Sequence, residues 1–106
     1  MTRALLTAVT IGALTIGLLG FAQPARAAGD VAAGKAKAGS CAMCHGPTGG
    51  GTSMGPKLAG MNQAAIVQAL QDYKTGKRTN AMMKSQAASL STEDIENLAA
   101  YYASLK

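Results

Sequence analysis

Both cysteines of this 106-residue chain and its only histidine fall within five consecutive positions, Cys41-Ala42-Met43-Cys44-His45. No other feature restricts the fold as strongly, because the rest of the chain is poorly equipped to build a core of its own. After Ala27 there is no Trp and no Phe, and Tyr73, Tyr101 and Tyr102 are the only aromatic residues. Alanine and glycine, which bury little apolar area per residue, abound. A small domain of this make-up needs a staple, whether a disulfide, a metal or a large cofactor.

Residues 1–27 read as a leader rather than as part of that domain. Arg3 supplies a basic start, Ala4 to Ala22 an apolar run, Pro24 a helix break, and Ala25-Arg26-Ala27 a small-residue cleavage pattern. Those parts in that order make a secretory signal peptide cut after Ala27. The apolar run is also about long enough to serve as an uncleaved membrane anchor. The Ala-x-Ala pattern favours removal, with cleavage after Ala28 as the neighbouring alternative. The mature chain is then a single domain, residues 28–106, exported to the periplasm or an equivalent compartment, with no stable membrane insertion.

Charge narrows the choice of partner. The chain carries 10 basic and 5 acidic residues, and Arg3 and Arg26 leave with the leader. There is no Lys/Arg run and no interleaving of aromatic residues, so nucleic-acid binding has no support. A modestly basic surface suits an acidic protein partner and is equally compatible with a solvated face.

Helical spacing recurs along the mature chain, and no stretch alternates with the period of a strand. A first helix starts at Asp30, a capping residue type, and runs through Val31 to Gly39. A short helical turn can hold Cys41 to His45. Gly46 to Gly60 is too rich in Gly and Pro for helix or strand. Asn62 caps a helix over 63–75 that ends on Gly76, with Ile66, Val67, Leu70 and Tyr73 on one face. A second loop over 77–90 carries Met82 and Met83. Ser91 and Asp94 form a capping box, and Leu90 with Ile95 a hydrophobic staple, for a last helix. Its buried stripe is Ile95, Leu98, Ala99, Tyr102 and Leu105, flanked by Tyr101. The fold class is all-α.

Several chemistries compete for the cysteine and histidine cluster. Structural zinc needs four ligands, and Cys41, Cys44 and His45 supply three with no further Cys or His in the chain. A thiol–disulfide oxidoreductase places Cys-x-x-Cys at a helix start after a buried strand in a larger α/β domain. A bare disulfide would close a loop too small to restrict the denatured chain much. Covalent haem attachment uses all three residues: two thiols bond the haem vinyl groups and the adjacent His lies under the iron. One haem c per chain also supplies the apolar core that the polypeptide lacks.

With "CAMCHG", "GPKLAG", "YKTGKRTNAMMKSQAASLS" and "DIENLAAYYASLK", the chain resembles the class I c-type cytochromes. It is most similar to the small bacterial single-haem, cytochrome c-553-like forms, over nearly all of residues 28–106. The resemblance implies three main helices around a covalent haem, His/Met axial ligation, and service as a soluble electron carrier rather than an enzyme. It implies redox proteins as donor and acceptor, and a monomer.

The face of the iron opposite His45 needs a second ligand, and with no other His a methionine is the natural candidate. Met43 lies inside the attachment motif, Met54 soon after His45, and Met61 at the start of a helix. Met82 and Met83 lie where the chain can have passed round the haem, and the residues alone leave both open. The family pattern places the ligand at Met83. It also matches Pro56 to the residue whose carbonyl accepts the proximal His Nδ1–H. Gly34 matches the glycine at which the first helix crosses the last, opposite Leu98 and Tyr101. Lys57, Lys77, Arg78 and Lys84, in or beside the two loops, read either as a docking ring for acidic partners or as a solvated rim. The rival function is a haem-based gas binder or catalytic subunit, which needs an open iron site.

Overall fold

The computed structural model describes Gly12 and residues 29–106. The leader and its cleavage site after Ala27 lie outside the described residues. Five helices follow one another: α1 Val31–Lys37, α2 Gly39–His45, α3 Gln63–Thr75, α4 Ala81–Ala88 and α5 Thr92–Ser104. The only β pairing among the described residues is an isolated bridge between Thr52 and Gly55.

Helix starts follow from side-chain chemistry. Asp30 Oδ1 accepts the N–H groups of Ala32 at 2.9 Å and Ala33 at 3.3 Å, satisfying two donors that no helical carbonyl can reach. Asn62 accepts from Ala65 N–H at 3.2 Å to open α3. Ser91 and Asp94 exchange two 3.0 Å bonds as a complete capping box for α5. α3 stops where Gly76 turns left-handed at φ 86°, a conformation that costs glycine little. All of these boundaries match the reading of the sequence.

Two stretches differ from it. The first helix does not continue to Gly39 but breaks at Ala38, whose N–H turns back to Lys35 O and whose carbonyl receives Ala42 N–H. Ala38 is buried against the core, so the break is where the chain turns to present α2. The second difference is α4, which occupies much of the expected second loop. Asn80 opens it by accepting Met83 N–H at 3.0 Å, and Ala87 anchors it as its one buried residue.

The core lies along α5. Ile95, Leu98, Ala99, Tyr101 and Tyr102 join Ala38, Ile66 and Leu90 in one cluster, with Val67, Leu70 and Leu105 packed at its edge. α1 packs on α5, and α3 packs on both α5 and α4. The α1–α5 crossing is close. A Cβ on Gly34 would lie 2.0 Å from Asn97 O and 2.8 Å from Tyr101 Cβ, so only glycine fits. Tyr101 is the neighbour expected there, and Asn97 stands nearer than Leu98. Asn97 also receives Asp30 N–H on its Oδ1 at 2.7 Å, which ties the start of α1 to the middle of α5. Lys74 Nζ donates to Leu90 O and joins α3 to the entry of α5. Among the described residues no helix is long and apolar enough to cross a membrane.

Candidate functional site

α2 carries the cluster that the sequence singles out. Cys41 and Cys44 stand three positions apart on one helix face, both unpaired and half-buried. His45 ends the helix and is the one buried polar residue among those described. Its Nδ1 lies 2.7 Å from the carbonyl of Pro56. A carbonyl only accepts, so Nδ1 bears the proton and Nε2 keeps its lone pair for a metal. Pro56 thus stands where the resemblance implies an acceptor for the proximal His proton.

The Gly-rich segment 46–60 makes that bond possible. Thr52 and Gly55 pair through their backbones at 2.8 and 3.3 Å, turning the chain back over α2. Thr52 Oγ1 then donates to Cys44 O at 2.5 Å, and Gly51 N–H donates to His45 O at 2.8 Å. The last carbonyls of α2 are therefore satisfied by the loop that follows. A Cβ on Gly55 would sit 2.9 Å from Cys44 O and 3.0 Å from His45 Nδ1, so this turn lies against the motif only because residue 55 has no side chain.

Electrostatics separates the chemistries open to the thiols. Burial pushes the Cys41 thiol up from its ordinary value, against the hydrogen bonds of Tyr102 and Ser40, which pull it down. A dithiol oxidoreductase needs a thiolate stabilised near neutral pH, and Cys41 is shifted the other way. Burial also raises the Tyr102 hydroxyl, with the neighbouring Cys41 adding to the effect. Among the described residues no three His, Cys, Asp or Glu side chains are grouped to hold a bare metal ion. What remains is a pair of free thiols on one helix face beside an imidazole whose Nδ1 is taken by the Pro56 carbonyl.

Residues 31–106 match the family model described as cytochrome c. The chain belongs to the cytochrome c family. It is 45% identical over 94 residues to cytochrome c4 of Pseudomonas aeruginosa, covering 88% of this chain and 45% of that protein. It is 42% identical over 95 residues to cytochrome c-553 of Helicobacter pylori, covering 88% of this chain and 95% of that protein. Its fold is similar to the crystal structure of reduced recombinant cytochrome c4 from Pseudomonas stutzeri, with a TM-score of 0.70 and 36% identity. That match covers 74% of this chain and 47% of the solved one. The chain thus spans about half the length of the cytochrome c4 relatives and nearly all of the cytochrome c-553.

The single Cys-x-x-Cys-His is the site of one covalent haem c with its iron. The residues present fit that group. The thiols are free, the imidazole tautomer is the one a metal requires, and Gly55 leaves the motif uncrowded.

The methionines differ in exposure. Met43, Met54, Met61 and Met82 are 76%, 70%, 38% and 66% exposed, whereas Met83 is half-buried on the first turn of α4. Of the basic residues near the two loops, Lys57, Lys77, Arg78 and Lys84 are all exposed. Arg78 also serves the structure, since its guanidinium lies 5.4 Å from the centre of the Tyr73 ring and its N–H donates to Asp72 O at 3.1 Å. The residue that the sequence reading passed over is Asn80. Its signal was present as an Asn directly before the helix-favouring run Ala81-Met82-Met83-Lys84.

Proposed function

We propose that the mature domain, residues 28–106, is an exported single-haem carrier of electrons that works in the periplasm. Cys41 and Cys44 would hold the haem covalently, His45 would be the proximal iron ligand and Met83 the distal one. Bound haem c supplies a one-electron Fe(II)/Fe(III) couple. Every other part of the function falls to the polypeptide.

α2 fixes the position of the group by two sulfurs one turn apart. Pro56 holds the His45 ring in one orientation and, by accepting the Nδ1 proton, makes Nε2 a stronger donor. A thioether opposite it favours Fe(II) relative to a second imidazole. Were His45 and Met83 both to ligate the iron, no position would stay open for a gas or a substrate, which suits a carrier and not a catalyst. The observation that carries this reading is the half-burial of Met83, while its neighbour Met82 is 66% exposed.

Redox proteins are the partners this chemistry requires. The exposed Lys57, Lys77 and Lys84 favour acidic docking surfaces, since opposite charge speeds encounter more than it deepens affinity. A monomer with a small transient interface fits such turnover. Removal of residues 1–27 by cleavage after Ala27 completes the reading.

The test is a pair of variants in the oxidised holoprotein. His/Met ligation gives a weak near-infrared sulfur-to-iron band. Met83→Ala is expected to abolish it, lower the reduction potential and admit carbon monoxide to the ferrous iron. Met82→Ala is expected to leave all three unchanged. The reverse pattern would move the ligand to Met82.

A further inference from the structure

Four helices of this fold open on a side-chain oxygen that accepts the N–H of the third helical residue, beginning with Asp30, which accepts from Ala33 at 3.3 Å in α1. Asn62 accepts from Ala65 at 3.2 Å in α3, Asn80 from Met83 at 3.0 Å in α4, and Ser91 from Asp94 at 3.0 Å in α5. Only in α4 is that third residue a half-buried methionine. α4 is also held by its packing against α3 and by Lys84 N–H, which reaches Asn80 O at 2.8 Å, while its buried anchor lies at its far end. Its one buried residue is Ala87, and the adjoining connection is tied down where Lys74 reaches Leu90 O. Ala81 and Met82, in the first turn beside Met83, are exposed. The Asn80 bond thus holds the Met83 N–H, a donor that no carbonyl of its own helix can reach.

We propose that Asn80 is a positioning residue for the distal ligand. By holding Met83 N–H, its Oδ1 fixes the turn from which the thioether reaches the iron and keeps the sixth coordination position closed to outside ligands. The proposal rests on Met83 being that ligand. Without the cap the first turn of α4 frays more often. Each opening is a moment in which an exogenous base can take the place of sulfur. Asn80 acts through Met83 and does not touch the iron.

The experiment measures the rate at which imidazole displaces the thioether in the oxidised, fully matured holoprotein, followed by loss of the near-infrared band. The thermal midpoint is recorded alongside. Asn80→Ala is expected to speed displacement about fivefold, the factor that corresponds to losing a typical N-cap. Asn80→Ser, which restores an acceptor, is expected to return to the wild-type rate. Asn62→Ala and Ser91→Ala remove equivalent caps from α3 and α5. They are expected to lower the thermal midpoint while leaving the displacement rate unchanged, which a general loss of stability would not do. Should Asn80→Ala mature poorly, Asn80→Thr, a weaker cap than Asn, is expected to give an intermediate rate. The proposal is overturned if Asn80→Ala and Asn80→Thr react at the wild-type rate, or if Asn62→Ala is accelerated as much as Asn80→Ala. A wild-type protein without the band would instead remove Met83 as ligand, and the role of Asn80 would fall with it.

Discussion

At Gly55 a missing side chain lets one turn lie flat against the motif helix, and through it the Pro56 carbonyl reaches His45 Nδ1. The acceptor is a backbone oxygen, so the proline ring matters only for how it shapes the turn. Asp94 shows a different dependence on a single group. Its carboxyl is held below the usual carboxylate range, chiefly by the Ser91 N–H it accepts, and further by Lys37 at 3.6 Å. A carboxyl whose folded pKa is depressed adds stability that is fully present above its unfolded pKa. That stability is lost as pH falls through the folded value. Asp94→Asn is therefore expected to lower the thermal midpoint at pH 7. The difference from wild type should shrink as the pH falls below about 4 and vanish in stronger acid. A midpoint difference that stays constant with pH would show that the capping carboxylate contributes nothing through its charge.

Helix boundaries were legible where they rest on local chemistry. Asn62, Gly76 and the Ser91–Asp94 box each announce an end of α3 or α5 within a few residues, and the apolar stripe of α5 fills the core as the spacing implies. α4 was not legible as a helix, because its apolar residues form no stripe, it buries only one alanine, and its packing against α3 is not a local signal. The break at Ala38 was hidden for a related reason. An alanine carries no local stop signal, and the turn there follows from packing against the core. The roles of Met83 and Pro56 came from family resemblance, since spacing alone did not separate Met82 from Met83. The α1–α5 crossing yields a test of its own. Gly34→Ala puts a methyl group 2.0 Å from the Asn97 carbonyl, and the two helices must part. Overpacking of this kind costs about 1–3 kcal/mol or more, to be read from denaturant midpoints of the holoprotein. A shift below about 0.5 kcal/mol would mean that the crossing is looser than its geometry.

As a whole molecule, the chain has a thin core. Ile95 and Leu98 are the largest fully buried side chains among the described residues, and one helix contributes most of the cluster. A polypeptide so rich in small residues gains little from burial alone, so haem is expected to act as part of the core. A Cys41→Ala, Cys44→Ala double variant should lose most of its helical circular dichroism. A cooperative, fully helical melt without haem would show that the polypeptide core suffices. The central claim is a carrier whose iron is closed on both faces by His45 and Met83. It is tested most directly by adding carbon monoxide to the reduced wild-type holoprotein and recording the visible spectrum. Almost no spectral change is expected if His45 and Met83 leave neither axial position free. Ready formation of a carbon monoxide adduct would contradict it, and the haem would then belong to a gas-binding or catalytic protein.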